Sequence, residues 1–399
     1  MDENNYEMEQ AFQTSQMQNK PSRLRIVLRI LTVTATLLVI ALTVYLVVNR
    51  SRFNLDSFKR YLTYRALERS DEGLAPSFSI GQEDEVCFAT LGDGVILCSE
   101  NRIQLYSDGG VAYEDISTVM EAPVIQTCGN HGVVYDAGGN DLYLFADRQC
   151  VFHYASEAGY KLISARVNQN GWLAVSEQAS GYKGTVTVYD AEHEPVITER
   201  ISSQFVMDAV IDPDNRQVAV LTIGQDDITF VSTLSQYSLS DGAMTRSAAV
   251  SDQPVLDLTW DESGMWLQQE FGVVRLNNRL EQVSQWSDNG LHLQGYSLNG
   301  DGFALEYFSQ DSAGTLGQLV CIDYDGNVVG TMHYSREVLS ATAAGRYIAV
   351  LTSSQLFLYD SGFEQYAGLS NDSGLLAALV RSDGTAMLIG GEQAGVFLP

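Results

Sequence analysis

The amino-acid sequence predicts an all-β protein, a β-propeller of eight blades, that follows a short N-terminal helical region. Three observations lead to this prediction. An apolar strand that ends in Asp and Gly recurs every roughly 36 to 49 residues, which is the spacing of four-stranded blades. A short turn of Asp, Asn or Gly recurs independently at a second position in each unit. Finally, 45% hydrophobic residues with 34 Gly and 7 Pro suit many short strands joined by tight turns.

The two recurring markers each occur eight times. The strand marker occupies residues 103–109, 142–147, 186–190, 236–242, 273–277, 320–326, 355–362 and, truncated, 395–398. The turn marker occupies residues 92–94, 130–132, 169–171, 213–215, 262–264, 300–302, 344–346 and 382–384. An apolar run follows most of these turns, as expected of the second strand of a blade. Eight blades are therefore predicted, with seven as the alternative.

The last unit has room for only three strands before Pro399. The isolated apolar pattern of residues 77–80 would supply its fourth strand, so that the two ends of the domain pair and the ring closes. Closure removes exposed sheet edges, which otherwise invite pairing with other chains. Residues 77–399 are therefore assigned to the propeller.

Three segments precede this domain. Residues 1–22 are expected to form a disordered polar tail. Residues 26–50 are predicted to be a transmembrane helix, because the 19 residues from Ile30 to Val48 carry no charge and would cover roughly 28 Å as a helix. Residues 53–72 are predicted to be a basic juxtamembrane helix and linker. The basic residues expected at the membrane surface are Arg50, Arg52, Lys59, Arg60 and Arg65. The alternatives for this helix are a stalk or packing under the rim of the propeller.

The charge of the chain limits its partners. The formal net charge is -27, and from Ala75 onward 42 acidic residues face only 13 basic ones, a net of about -29. Such a surface repels nucleic acid, so we expect no DNA or RNA partner. A single span before a large domain favours a propeller outside the cytoplasm. The basic residues that follow the span favour the cytoplasm instead. We expect a single-pass protein of the cell membrane with its propeller outside the cytoplasm, and a cytoplasmic propeller is the alternative. The oligomeric state stays open.

The order of these segments resembles a known family. Residues 53–60, residues 88–94 and the Leu-Tyr-Asp strands are similar to those of single-pass membrane β-propeller proteins of Gram-positive anaerobes, the domain of unknown function 5711. The resemblance covers nearly the whole chain and implies a propeller fold with a membrane anchor. It implies no activity and no functional residues, because the family has none assigned.

Signatures of catalysis are absent from the sequence. It contains no nucleophile elbow, zinc-protease motif, phosphate-binding loop or dinucleotide-binding glycine pattern. The five histidines and five cysteines are scattered without ligand spacing. We therefore predict a non-catalytic protein with no cofactor, no metal site and no catalytic residues.

The loops between the second and third strands of each unit vary in length, and the long ones predict a binding face. They are long in blades three, four and six, at residues 177–184, 224–230 and 306–314. The candidate binding residues on these loops are Tyr182, Lys183, Asp226, Asp227, Phe230, Phe308, Gln310 and Asp311.

Three functions are compatible with this face. The favoured one is a membrane-anchored protein-interaction or assembly module at the cell envelope, whose partners are membrane lipid through the span and an unidentified protein. The alternative is recognition of a cell-wall glycan or small ligand, with Tyr182, Phe230 and Phe308 as stacking platforms. An exported hydrolase or lyase is the least favoured.

Overall fold

The computed structural model describes residues 23–48, 60, 63–65, 67–81, 86–226, 228–288, 290–310 and 315–399. The chain divides into two compact units, Met1–Lys59 and Arg60–Pro399. The tail predicted over residues 1–22 lies outside the described residues. So do Arg50, Arg52 and Lys59, which were expected at the membrane surface.

The described part of the first unit is one helix, α1 (Arg23–Val48), of 26 residues. Thr32, Thr36 and Thr43 each donate a hydroxyl hydrogen bond of 2.8 Å to the carbonyl four residues earlier, which satisfies these polar groups within the helix. Within the described ranges, no helix has both the length and the apolar character that a membrane crossing requires. The transmembrane helix predicted over residues 26–50 is therefore not supported.

The described residues of the second unit form eight antiparallel sheets of four strands each. This confirms the predicted eight-bladed propeller and excludes seven blades. In chain order the strands are β1 (Phe78–Ser79), β2 (Cys87–Leu91), β3 (Gly94–Cys98), β4 (Arg102–Ser107), β5 (Ala112–Ser117), β6 (Pro123–Cys128), β7 (His131–Asp136), β8 (Asp141–Ala146), β9 (Gln149–Ala155), β10 (Lys161–Val167), β11 (Leu173–Gln178), β12 (Gly184–Tyr189), β13 (Pro195–Ile201), β14 (Phe205–Ile211), β15 (Gln217–Asp226), β16 (Thr229–Ser238), β17 (Met244–Ser251), β18 (Val255–Asp261), β19 (Gly264–Gln269), β20 (Gly272–Leu276), β21 (Gln282–Ser287), β22 (His292–Ser297), β23 (Phe303–Ser309), β24 (Gly317–Asp323), β25 (Val328–Tyr334), β26 (Val338–Ala344), β27 (Tyr347–Thr352), β28 (Gln355–Asp360), β29 (Gln365–Ser370), β30 (Ala377–Val380), β31 (Ala386–Ile389) and β32 (Gln393–Phe397).

Blades 1 to 7 each use four consecutive strands, from β2–β5 through to β26–β29. Blade 8 joins the two ends of the domain, in the order β1-β32-β31-β30. Phe78 pairs with Ala394 and Ser79 with Gln393, as the sequence predicted for this isolated strand. The ring therefore closes by hydrogen bonding.

The seam between blade 8 and blade 1 is reinforced by a buried ion pair. Arg381 of blade 8 donates hydrogen bonds of 2.7 and 2.6 Å to both carboxylate oxygens of Asp108, and a third of 3.1 Å to the Gly94 carbonyl. Each charged side chain of the pair is only 8% exposed. Arg381 thus fixes the last blade to the first.

The residues just before the propeller pack on this same seam. The Arg60 guanidinium donates to the Gly384 carbonyl at 3.3 Å, and the Tyr64 hydroxyl lies 3.3 Å from the Arg381 guanidinium. Residues 53–59 of the predicted basic juxtamembrane helix lie outside the described residues, and the membrane-surface role of this helix stays a prediction. Arg65 is exposed.

The core lies between neighbouring blades. Val186 and Val188 of blade 3, for example, pack against Val218 and Val220 of blade 4. Because each sheet is covered on both faces, the second strands are nearly continuous apolar runs.

The first strands of blades 3 to 7 share an irregularity. Each carries a β-bulge near its start, at Ile163, Met207, Leu256, Gln294 and Leu339. A bulge adds one residue to one strand of a pair and bends it locally. These bulges lie near the start of the innermost strand in each of the five blades, and they change which side chains of that strand are exposed.

Candidate functional site

The propeller has two faces with different connections. Because consecutive strands of a blade are antiparallel, the turns between first and second strands and between third and fourth strands lie on one face, here called the turn face. The loops between second and third strands and the connections to the next blade lie on the opposite face, here called the loop face.

Exposed large apolar side chains are concentrated on the loop face. The described propeller residues place eleven of them there: Val119, Tyr182, Phe205, Met207, Ile228, Phe230, Leu256, Phe271, Leu316, Leu339 and Leu376. Six lie elsewhere, on outer strands and turn-face turns: Val111, Met244, Val283, Val328, Val329 and Tyr366. Concentrated exposure of this kind marks interaction surfaces, whereas scattered single residues need no explanation.

Blade 4 carries the most prominent part of the loop face. Its strands β15 and β16 are ten residues long, and their pairing continues to Asp226 opposite Thr229. The long loop predicted over residues 224–230 is therefore a hairpin with a two-residue turn. At its tip Ile228 is 94% exposed and Phe230 57% exposed. Asp227 lies outside the described residues.

Blade 3 adds an aromatic and cationic group beside this hairpin. Tyr182 is 43% exposed, in the loop between β11 and β12. The Lys183 ammonium lies 4.7 Å from the centre of the Phe205 ring and donates a 3.0 Å hydrogen bond to the Ser203 carbonyl. A cation over an aromatic face is stabilising, so Lys183 holds the exposed Phe205 ring of blade 4 next to blade 3.

The structure corrects one predicted binding residue. Phe308 belongs to strand β23 and is fully buried, with its ring 5.7 Å from that of Trp286. It therefore has no surface on which a ligand could stack. The loop begins two residues later at Gln310, which is exposed and whose backbone N–H donates to the Leu316 carbonyl at 2.7 Å. Asp311 lies outside the described residues.

The sequence did not predict that the bulged residues of the loop face are exposed. Met207, Leu256 and Leu339 are exposed because the bulge turns each of them away from the core. A signal was present in the sequence, since each follows another apolar residue where a strict alternation would place a polar one.

The central channel holds a charge network. First strands from all eight blades line a cavity of about 610 Å³. Arg166 of blade 3 donates to Asp208 of blade 4 at 2.9 and 2.6 Å and to Asp257 of blade 5 at 2.5 Å. Burial alone would lower the pKa of Arg166, but the two carboxylates outweigh it and raise that pKa. Burial and Asp208 raise the pKa of Tyr135 to about 12. The network links three blades across the channel.

The turn face contains a groove of about 960 Å³ along blades 3, 4 and 5. Trp172 and Trp260 line it together with Asp212, Asp261 and Glu262. The Trp260 indole donates to the Asn278 side-chain oxygen at 2.9 Å, which fixes the ring. Asp261 accepts hydrogen bonds from Arg275 at 2.6 Å and from Tyr324 at 3.1 Å. The sequence reading did not predict this groove.

These features define the class of protein: an eight-bladed β-propeller, closed by its own two ends, with an apolar loop face. The model of the family described as "Family of unknown function (DUF5711)" matches residues 66–254. The match begins in the segment that packs on the closing seam and ends between blades 4 and 5. It supports the resemblance to this family over slightly less than half of the chain. A search of curated proteins found no match.

Solved structures show the same fold at low sequence identity. BamB from Moraxella catarrhalis is 14% identical with a TM-score of 0.51, over 81% of this chain and 96% of that chain. The computationally designed Ika8 protein is 10% identical with a TM-score of 0.57, over 81% and 99%. Saccharomyces cerevisiae Sqt1 is 9% identical with a TM-score of 0.57, over 80% and 97%. At these identities the likeness concerns the fold alone.

Proposed function

We propose that this protein is an interaction module that binds a protein partner through the loop face of its propeller. The observation that supports this is the concentration of eleven exposed apolar side chains on that face. The centres of protein interfaces are apolar and enriched in aromatic side chains and Met, and a few buried residues there supply most of the binding energy. The exposed tip of the blade 4 hairpin, with Ile228 and Phe230, is the expected centre of contact.

The charge of the chain indicates the chemistry of the partner. At a formal net charge of -27, the protein attracts basic surfaces and repels acidic ones. We therefore expect a partner whose contact surface combines apolar side chains with Lys or Arg. Association should weaken as salt is added, because screening acts on the charges and not on the apolar contacts.

The test is quantitative capture of partners from the source cells, with the full chain as bait. The double variant Ile228→Ser with Phe230→Ser removes the apolar hairpin tip. The matched control is Val328→Ser with Val329→Ser, which removes two exposed apolar residues from the outer strand β25. A protein that is captured by the wild type and the control but lost with the hairpin variant supports the proposal. Equal capture by both variants refutes it.

A small-ligand function is the second candidate, and the turn-face groove favours it. Its volume of about 960 Å³ is that of a ligand pocket, and two tryptophans beside carboxylates are suited to stack and hydrogen bond a sugar. Phe308, proposed as a platform on the loop face, is buried, so the groove is the better site for this function. Titration of tryptophan fluorescence with soluble oligosaccharides tests it. A saturable change that Trp260→Phe weakens would support it, and no change would exclude it for those ligands.

A further inference from the structure

The buried side chain of Glu306 places a carboxyl group at the junction between blades 5 and 6. The corresponding position is apolar in the other four blades whose first strand carries a bulge. In blades 3 to 7 the residue two places after the bulge pairs with a residue of the second strand. These second-strand residues are Val175, Val220, Leu267, Glu306 and Val350. All five are buried, and Glu306 is 0% exposed. Glu306 therefore replaces a core aliphatic side chain.

Two further polar side chains are buried beside Glu306. The Gln268 amide nitrogen donates to Glu306 Oε1 at 2.6 Å and to the carbonyls of Gln269 and Gly272 at 3.0 and 3.2 Å. The backbone N–H of Asp288 donates to the carbonyl of Phe271, in the same turn, at 3.4 Å. Gln268 is 0% exposed and Asp288 5% exposed. The Gln268 side chain thus contacts the Glu306 carboxyl group directly, and the backbone of Asp288 is hydrogen bonded to the turn of residues 269–272 that Gln268 also contacts.

Each of these side chains keeps one buried oxygen without a hydrogen-bond partner among the described residues. These atoms are Glu306 Oε2, Gln268 Oε1 and Asp288 Oδ2. No ion pair formed by a described basic side chain includes Glu306 or Asp288. A buried acceptor without a partner is costly, and three in one junction is more than packing alone explains. All three are oxygens, and once Glu306 has released its proton all three accept, so they suit a positively charged ligand.

We propose that Glu306, Asp288 and Gln268 form a site for a hard metal cation of the Ca²⁺ type between blades 5 and 6. Carboxylate and amide oxygens are the ligands that Ca²⁺ takes, whereas softer metals favour Cys and His. The amide oxygen is an essential part of the set, since no described group of three His, Cys, Asp or Glu side chains could hold a metal. Two carboxylates and one amide leave coordination positions for water. The bound cation would join blade 5 to blade 6 next to the loop face.

The experiment measures the unfolding midpoint of the full chain in chelator and in Ca²⁺. A cation that binds only the folded state raises the midpoint. The rise per kcal/mol is about 2–4 °C in domains of 150–250 residues and smaller in a propeller of this size. We expect a rise of several degrees in the wild type, and its loss in Glu306→Gln and in Asp288→Asn. Glu270→Gln is the matched control, because it removes one charge from the same turn at an exposed position. It should keep the rise.

Two results would overturn the site. One is a wild-type midpoint that does not respond to Ca²⁺. The other is an equal rise in Glu306→Gln and Asp288→Asn, which would place Ca²⁺ elsewhere on the acidic surface. If Glu306→Gln does not fold, titration calorimetry of folded Asp288→Asn decides, with at least a tenfold loss of Ca²⁺ affinity expected. Unchanged affinity in that variant would also reject the site.

Discussion

Replacing Glu306 by Gln should remove a large part of the pH dependence of stability in protein held free of metal by a chelator. The structure buries the carboxyl group completely between blades 5 and 6. Burial raises its pKa most, the hydrogen bond from Gln268 lowers it in part, and the Asp288 carboxylate raises it, so that together they move the pKa from 4.5 to about 8. The folded protein therefore keeps a proton on Glu306 at a pH where the unfolded chain has lost it.

The sign and size of the effect follow from this difference. Below pH 4.5 both states hold the proton, and above about pH 8 neither does. Between these values the folded state binds more protons, so its stability falls as the pH rises. Each pH unit within the window costs about 1.4 kcal/mol. From pH 6 to pH 9 the wild type should lose about 2–3 kcal/mol through this group alone.

Equilibrium urea unfolding at pH 6 and pH 9, both in chelator, measures the effect. Glu306→Gln, which has no charge to lose, should show about 2–3 kcal/mol less pH dependence than the wild type. Glu270→Gln, exposed in the neighbouring turn, should retain the full dependence. If Glu306→Gln and the wild type lost the same stability between the two pH values, the carboxyl of Glu306 would not be a neutral buried acid.

Three further predictions concern the closing seam, the loop face and the location of the propeller. Arg381→Met should lower the free energy of unfolding in urea by about 3–5 kcal/mol, because Asp108 then stays buried without its partner. The double variant with Asp108→Leu should restore much of this loss. No recovery in the double variant would contradict this account. Phe308→Ala should cost about 3–5 kcal/mol of stability without a specific effect on partner capture, whereas Phe230→Ala should reduce capture and leave the urea midpoint unchanged. A Cys introduced at exposed Ser180, in a variant without the native cysteines, should react with a membrane-impermeant reagent on intact cells; protection until the cells are opened would place the propeller in the cytoplasm.

The blade count was predictable because it depends on local chemistry that repeats. The Asp and Gly residues that end a strand, as in residues 355–362, occupy a turn that every blade needs in the same place. The closing strand was predictable for a different reason. Residues 77–80 read as one strand with no neighbour in sequence, and the last unit lacked one, so a closed ring required their pairing.

The loop face was predictable only where exposure follows from sequence position. Tyr182 lies in the loop between β11 and β12, Phe230 lies near the start of β16, and both are exposed. Their role in binding stays a prediction. Phe308 was assigned to a loop because residues 306–314 contain no clear strand ending, yet β23 and β24 pair as far as Ser309. The exposure of Met207 arises from a bulge, and a bulge shows only in the pairing of two strands.

The surroundings of Glu306 could not be predicted from the sequence. Glu306 interrupts an apolar run in the second strand of blade 6, and in a sheet covered on both faces such a residue has no route to solvent. Glu177 interrupts the second strand of blade 3 in the same way and is 4% exposed, but the Tyr154 hydroxyl lies 3.0 Å from each of its oxygens. From the sequence both residues were placed at the start of predicted loops, residues 177–184 and 306–314, and the structure instead buries both carboxyl groups. The sequence did not indicate this burial. It cannot tell which one is satisfied, because Tyr154 comes from blade 2 and Gln268 from blade 5, and only the packing of neighbouring blades brings these partners into contact. Whether a buried acid in a propeller is a candidate site thus depends on its partners from the neighbouring blade. Tyr154 supplies a partner to both oxygens of Glu177, whereas Glu306 Oε2 has none among the described residues. A cation is therefore expected at Glu306 and not at Glu177.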